Sequence, residues 1–158
     1  MQEIERKWLV ARPPGEVGPG ADGTPIRQGY LTGADGDPEV RLRDRGGARQ
    51  LTVKVGAGLS RDEFEIAVDD DTFEGLWAHT GGARVEKVRH ELPVGPYTAE
   101  LDVYAGDLEG LMTVEVEFPS AAAADSFTPP AWFGRDVTGD DAYANRRLAR
   151  EGLPPADG

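Results

Sequence analysis

The stretch Glu3-Ile4-Glu5-Arg6-Lys7, at the start of the chain, places a charged residue at every second position. Side chains of a β-strand alternate between its two faces, so Glu3, Glu5 and Lys7 share one face while Ile4 and Trp8 lie on the other. The stretch therefore predicts a first strand with one face that carries acids and a base, and an opposite face that is largely apolar.

Seven later segments are also rich in β-branched and aromatic residues, and clusters of Gly, Pro and Asp separate them. We predict strands at about 2–11, 26–32, 39–45, 49–56, 61–68, 84–92, 97–105 and 112–118. Helices are predicted at about 70–80, 120–127 and 139–151, followed by a loose tail at about 152–158. Strands with short connections favour an antiparallel sheet or barrel, so the expected class is α+β and mainly β.

The predicted strands together carry a charged face of nearly balanced sign. Its eight acids are Glu3, Glu5, Glu63, Glu65, Glu100, Asp102, Glu115 and Glu117, and its seven bases are Lys7, Arg41, Arg43, Lys54, Arg61, Lys87 and Arg89. One interpretation is an amphipathic sheet whose charged face meets water. Neighbouring like charges, such as Glu115 beside Glu117, favour a second interpretation, because they repel unless opposite charge lies between them. We therefore predict a closed eight-stranded antiparallel β-barrel with this face inside and helices packed outside.

Length and composition restrict the classes of protein that fit. A chain of 158 residues with 39% apolar and 29% charged residues is typical of one globular domain, which we place at 1–158. There is no long apolar run, no signal peptide and no cysteine, so we expect a cytoplasmic protein without disulfides that does not bind a membrane. The net charge of −12 argues against binding to a nucleic-acid polymer. We expect a monomer or a homodimer.

The charged face suits one kind of chemistry. Arginine binds phosphate oxygens through a rigid fork, and lysine binds them as a point charge. Divalent cations such as Mg²⁺ prefer carboxylate oxygens, together with substrate phosphates and water. Phosphoryl transfer needs positioning and charge neutralisation but no covalent nucleophile. The residues therefore predict a site for a polyanion, such as a small-molecule polyphosphate substrate, together with a divalent cation, and they suit phosphoryl transfer.

From Glu3 to about Asn145, the chain resembles the CYTH or triphosphate tunnel metalloenzyme family. The opening stretch matches the family's N-terminal ExExK signature. The stretches that resemble its later strands are, in order, Arg27–Leu31, Glu39–Arg43, Thr52–Lys54, Arg61–Glu65, Lys87–Arg89, Glu100–Asp102 and Val114–Phe118. The ending, with Trp132-Phe133-Gly134, Val137-Thr138 and Tyr143-Ala144-Asn145, is similar to small bacterial members. Ala142 is a departure, since relatives often carry a basic residue there.

The resemblance implies an eight-stranded tunnel that binds a triphosphate with Mg²⁺ or Mn²⁺. Glu3, Glu5 and Glu117 would hold the main metal with Glu115 nearby, while Glu63, Glu65, Glu100 and Asp102 would bind a second metal or its water. Phosphate binding would fall to Lys7, Arg41, Arg43, Lys54, Arg61, Lys87 and Arg89. The residues expected to contribute most to catalysis are Glu5, Lys7, Arg43, Lys54, Glu63 and Lys87.

Members of this shape that come from bacteria are typically inorganic triphosphatases, which release pyrophosphate and phosphate. Two alternatives remain at this point. The first is a nucleoside or thiamine triphosphatase or a class IV-type adenylate cyclase, although no segment is evident that would recognise a base. The second is a non-catalytic module that binds polyphosphate or a nucleotide, which the metal-binding carboxylates disfavour.

Overall fold

A computed structural model describes residues 4–15, 17, 22–32, 38–56 and 62–155. It contains eight strands: β1 (Ile4–Leu9), β2 (Thr24–Tyr30), β3 (Glu39–Arg45), β4 (Ala48–Val55), β5 (Asp62–Ala67), β6 (Arg84–Val94), β7 (Tyr97–Tyr104) and β8 (Met112–Phe118). Each strand coincides with one of the eight predicted segments. The mainly β class and the number of strands are therefore confirmed.

The strands form one sheet in the order β1-β8-β7-β6-β2-β3-β4-β5. The pairings of β1 with β8, β8 with β7, β7 with β6, β2 with β3, β3 with β4 and β4 with β5 are antiparallel. Strands β1 and β5 are the edges, and within the described residues no pairing joins them. The prediction of a closed barrel is therefore wrong, because the sheet is open.

A later segment, 134–138, occupies the outer edge of β1. The backbone hydrogen bonds run from Gly134 N to Leu9 O at 2.7 Å, from Leu9 N to Arg135 O at 2.8 Å and from Val137 N to Lys7 O at 2.9 Å. These bonds occupy backbone N–H and C=O groups of Leu9 and Lys7. A further strand that closed the sheet into a barrel would need the same groups for its own pairing with β1. A Cβ on Gly134 would lie 2.7 Å from Leu9 O, so the close approach needs a glycine.

The chain divides into two compact units. Unit 1 comprises Met1–Thr24 and Lys87–Asp140, and unit 2 comprises Pro25–Glu86 and Asp141–Gly158. In unit 1 the core lies on the apolar faces of β1, β7 and β8. Trp8, Leu101, Val114 and Val116 are at most 2% exposed there. The alternation of faces predicted for these three strands is thus confirmed.

Helix α2 (Ala121–Ser126) covers part of this apolar face. It begins after Ser120, whose hydroxyl accepts a hydrogen bond from Ala123 N, a standard N-terminal cap. Arg6 donates to the carbonyl of Ala124 at 2.9 Å, and the ring of Phe127 lies 5.6 Å from that of Trp8. The carbonyl of Ala124 and the ring of Phe127 therefore hold the short helix against Arg6 and Trp8 of β1.

In unit 2, helix α1 (Asp70–Trp77) packs against one face of β3 and β4. Phe73 is fully buried, and the guanidinium groups of Arg27 and Arg49 each lie 4.7 Å from its ring centroid. Both arginines also pair with Asp44. The face on which they lie is opposite the face that carries Arg41 and Arg43, as the alternation of side chains requires.

The third predicted helix is interrupted. A 3-10 turn at Asp141–Tyr143 precedes α3 (Asn145–Glu151), and Ala144 between them has an extended backbone with ψ of 138°. Within the described residues, no helix has both the length and the apolar character that crossing a membrane would require.

Candidate active site

The charged side chains of unit 1 lie in rows across neighbouring strands. Because β1, β8, β7 and β6 are adjacent, residues at facing register positions share one face of the sheet. Lys7 faces Glu115, Glu115 faces Glu100, and Glu100 faces Glu91. One row thus carries three acids and a lysine, and Lys7 Nζ lies 3.6 Å from Glu115 Oε1.

A second row places two acids directly opposite each other, since Glu5 faces Glu117. Like charges at facing positions of an antiparallel pair are destabilising, whereas a divalent cation between carboxylates would relieve the repulsion. Over the part of the chain that the structure describes, no three His, Asp or Glu side chains are already gathered around one point. Glu3, the remaining acid of the predicted main site, lies outside the described residues.

Asp102 lies at the centre of a buried network. It is 1% exposed, and its carboxylate contacts Lys87 Nζ at 2.8 Å and Arg89 Nε at 2.8 Å. Arg89 makes a second bond to Asp102 at 3.0 Å and one to Glu100 at 3.0 Å. Lys87 is 3% exposed and also lies 5.4 Å from the ring centroid of Tyr104. Four predicted site residues are thereby brought together in unit 1.

The charges of this network depend on one another. Burial raises the pKa of the Asp102 carboxyl, but Lys87 and Arg89 outweigh it, so this pKa lies below its ordinary value. Burial lowers the pKa of Lys87, although Asp102 opposes the change. The pKa of Arg89 is raised because Asp102 and Glu100 outweigh the effect of burial. The carboxylate therefore stabilises the charged forms of both bases.

In unit 2, the predicted bases of β3 and β4 also lie in rows. Arg41 faces Tyr30 on β2 and Thr52 on β4. Lys54 faces Glu39 on one side and Glu63 on the other. The remaining facing pairs are Arg43 with Gln28 and with Gln50, and Thr52 with Glu65. An acid and a base therefore alternate in one row, Glu39–Lys54–Glu63, while the arginines of the other two rows face Tyr, Thr and Gln.

Tyr30 is a buried member of this face. Its side chain is 4% exposed and its hydroxyl accepts a hydrogen bond from Gln28 Nε2 at 2.7 Å. Burial raises the pKa of the tyrosine hydroxyl, while the charge of Arg41 lowers it, and the net change is upward. Tyr30 therefore shares the face of the predicted phosphate-binding arginines.

Three buried polar atoms in the described residues lack a hydrogen-bond partner: Arg41 Nε, Thr52 Oγ1 and Thr113 Oγ1. Each such atom costs about 1–3 kcal/mol. Arg41 and Thr52 occupy facing positions in unit 2, and Thr113 faces Asp102 in unit 1. All three belong to the charged faces, where a bound anion or water would satisfy them.

Two predicted residues, Glu3 and Arg61, lie outside the described residues. Glu91 and Tyr104 were missed, although the first extends the acidic row and the second packs beneath Lys87. Their positions were available from strand parity, since Glu91 is two residues beyond Arg89 and Tyr104 is two beyond Asp102.

No family model matches the chain. Two curated relatives do. It is 51% identical over 152 residues to an inorganic triphosphatase from Nitrosomonas europaea, covering 94% of this chain and 97% of the relative. It is 36% identical over 152 residues to an inorganic triphosphatase from Acetivibrio thermocellus, covering 94% of each. A crystal structure of an inorganic triphosphatase superposes with a TM-score of 0.78 at 45% identity, covering 98% of both chains. The resemblance identified from the sequence is thus confirmed.

Proposed function

The chain belongs to the inorganic triphosphatase family, and on that basis we propose that it hydrolyses inorganic triphosphate to pyrophosphate and phosphate with the help of a divalent cation. Identity of 51% over nearly the whole chain carries the proposal. The charged faces of both units support it, because they offer carboxylates for a cation and guanidinium and ammonium groups for phosphate oxygens.

The donor set fits a hard cation such as Mg²⁺ or Mn²⁺, which prefers carboxylate oxygens. Glu5 and Glu117, which face each other, would hold it together with Glu3, and Glu115 lies in the neighbouring row. When bound, the cation would neutralise charge on the triphosphate and make water a better nucleophile. Glu63, Glu65 and Glu100 are further candidates for a second cation or for water.

The bases would bind and orient the substrate. We assign phosphate oxygens to Lys7, Arg41, Arg43, Lys54, Arg61, Lys87 and Arg89. Attack by water on the terminal phosphorus breaks one anhydride bond, and the two negative products leave as phosphate and pyrophosphate. Because negative charge spreads over the transferred group during this step, fixed cations lower the barrier without forming a covalent bond.

A phosphate-release assay tests this proposal. Purified protein is incubated with inorganic triphosphate, ATP, thiamine triphosphate or pyrophosphate, each with Mg²⁺, with Mn²⁺ or with EDTA. We expect metal-dependent release that is fastest from inorganic triphosphate. Faster release from ATP or thiamine triphosphate would show that the protein is a triphosphatase for organic substrates. No release from any substrate would refute the proposal that it is an enzyme.

Glu5→Gln is the matching variant, since it keeps the side-chain shape and removes one charge from the Glu5–Glu117 pair. We expect kcat/KM for inorganic triphosphate to fall at least about 100-fold, the scale seen when a group that stabilises the transition state is removed. Glu74→Gln on α1 is the control, because Glu74 is about half exposed and pairs with Arg27, on the face opposite Arg41 and Arg43. Equal activities of the two variants would show that Glu5 does not belong to the active site.

A further inference from the structure

Both oxygens of the Asp102 carboxylate are already used by bases. Oδ1 accepts from Arg89 Nε at 2.8 Å, while Oδ2 accepts from the other end of the guanidinium at 3.0 Å and lies 2.8 Å from Lys87 Nζ. A carboxylate offers about four lone-pair sites, and three are occupied here. Only one such site is left for any further ligand.

The ammonium of Lys87 and the guanidinium of Arg89 lie within hydrogen-bond distance of this carboxylate. A divalent cation that bound the carboxylate would therefore also lie close to these two positive groups. Repulsion from Lys87 and Arg89 would oppose such binding more strongly here than at an exposed site, because burial reduces screening. Glu117 differs on both counts: it is exposed, and its register partner is another acid. Asp102 is therefore less suited to a cation than Glu117, the acid predicted to bind the main metal.

We propose that Asp102 is a positioning residue, which fixes the ammonium of Lys87 and the guanidinium of Arg89 for the triphosphate and does not bind the cation. This inference rests on the proposed function, since it assigns a role within that site. Each base has several rotatable bonds, and a shared rigid anion between them removes that freedom before the substrate arrives.

The surrounding contacts support such a role. Arg89 is held at a third point by Glu100, at 3.0 Å, so two carboxylates of β7 fix the plane of its guanidinium. The amine of Lys87 is placed between the carboxylate and the ring of Tyr104. A base oriented this way contributes to catalysis only while its anion is in place, because free side chains would have to be ordered during the reaction.

Unit 2 provides a matched control in Asp44, which also bridges two bases. Its Oδ2 lies 3.4 Å from Arg27 Nε and 3.2 Å from Arg49 Nε, and its Oδ1 accepts from Gly47 N at 2.9 Å. Asp44, Arg27 and Arg49 lie on the face of the sheet against which α1 packs. Asp44→Asn therefore removes the same charge from the same kind of network without touching the proposed site.

The experiment compares Asp102→Asn, Asp44→Asn and the unaltered protein in three measurements. Steady-state kinetics with inorganic triphosphate and Mn²⁺ gives kcat and KM, titration of Mn²⁺ followed by electron paramagnetic resonance gives its Kd without substrate, and circular dichroism reports folding. We expect Asp102→Asn to lower kcat/KM at least about tenfold while the Kd for Mn²⁺ stays within about twofold. Asp44→Asn should lower the melting temperature and leave both constants unchanged.

Removing Asp102 leaves a buried ammonium without its partner, which can unfold the chain. If Asp102→Asn does not fold, the comparison is made between Lys87→Met and the double variant Lys87→Met/Asp102→Asn, in which the buried pair is neutral. We then expect the same Kd for Mn²⁺ in both.

Two results would overturn the inference: a tenfold or greater rise in the Kd for Mn²⁺ on loss of Asp102, or a folded Asp102→Asn with unaltered kcat/KM. The kinetic result presupposes an unaltered protein that releases phosphate from triphosphate. An unaltered protein with no such activity would refute the proposed function itself, so the two failures are distinguishable.

Discussion

Strands β1 and β5 have the same alternation of charged and apolar residues, but their apolar faces have different surroundings. On β1, Trp8 is 2% exposed and belongs to the core of unit 1. On β5, Phe64 and Ile66 are 57% and 55% exposed, and every residue of the strand is exposed. Alternation therefore shows which side chains share a face, whereas burial depends on what the rest of the chain places over that face.

The covering of β1 comes from distant parts of the sequence. Segment 134–138 bonds to its backbone edge, and α2 with Phe127 lies on its apolar face. The charged face carries Glu5 and Lys7 on β1 and Glu63 and Glu65 on β5. The two strands are thus alike in proposed chemistry and different in burial, and three predictions test what that difference does to stability.

The largest effect is expected from truncating the apolar face of each strand. Trp8→Ala should reduce the free energy of unfolding by about 3–5 kcal/mol, because it removes a fully buried ring from the core. Phe64→Ala, on the exposed face of β5, should change it by no more than about 0.5 kcal/mol. Urea denaturation followed by circular dichroism measures both. Losses of similar size would show that β5 is also covered and would remove the contrast.

Gly134→Ala should have an intermediate effect. The added Cβ would lie 2.7 Å from the backbone oxygen of Leu9, so segment 134–138 must shift from the edge of β1. We expect a loss of about 1–3 kcal/mol in the free energy of unfolding, the usual range for overpacking. Gly75→Ala in α1 is the control, since nothing lies within 4 Å of its added Cβ and alanine favours a helix by about 1 kcal/mol. The same urea measurement should therefore show opposite signs, and two stabilised variants would contradict the close approach.

Asp136→Asn should have the smallest effect. Asp136 pairs with Arg6 of β1 at 3.0 Å and accepts from Thr138 N at 2.8 Å. Partial burial raises the pKa of its carboxyl, but the bonds from Thr138 and Arg6 outweigh burial and the pKa is lowered. A lowered pKa in the folded state means that the stabilisation is present above the unfolded value, about 3.9, and is lost as the pH falls through the folded value.

We therefore expect Asp136→Asn to cost about 1 kcal/mol or less at pH 7, since the side chain is 43% exposed and screened by solvent. The difference from the unaltered protein should shrink between pH 7 and about pH 2, because the aspartate is increasingly protonated as the pH falls. Urea denaturation at the two pH values, with 1 M salt as a further condition, measures it. A difference that is the same at both pH values would show that the charge of Asp136 does not stabilise the β1 edge.

Much of the fold could be predicted because the relevant signals are local. A repeat of two places Glu5 and Lys7 on one face and Trp8 on the other whatever the partner strand is, and glycine and proline clusters mark where strands end. The break at Ala144 was not predicted, because the helical spacing of Tyr143 and Arg147, and of Ala144 and Leu148, does not reveal an extended backbone at that point.

Which residues share the charged faces could be predicted more completely than what each of them contacts. Residues such as Glu5, Lys7 and Arg89 were identified from parity and charge. The sequence grouped Asp102 with the metal-binding acids, because a carboxylate on the charged face looks the same whether it contacts a cation or a lysine. Its contacts with Lys87 and Arg89 depend on how β6 and β7 align, and that register is set by pairing between strands.

The sequence by itself determined the eight strands, the residues that share each charged face and the family to which the chain is similar. Periodicity, turn residues and motif order are all carried along the chain, so they need no knowledge of distant contacts. Tertiary structure alone decided that the sheet stays open, that Asp102 is enclosed by two bases and that β5 remains exposed. Each of these depends on contacts made across strands or by distant segments, such as Gly134 with Leu9, and side-chain alternation does not specify them.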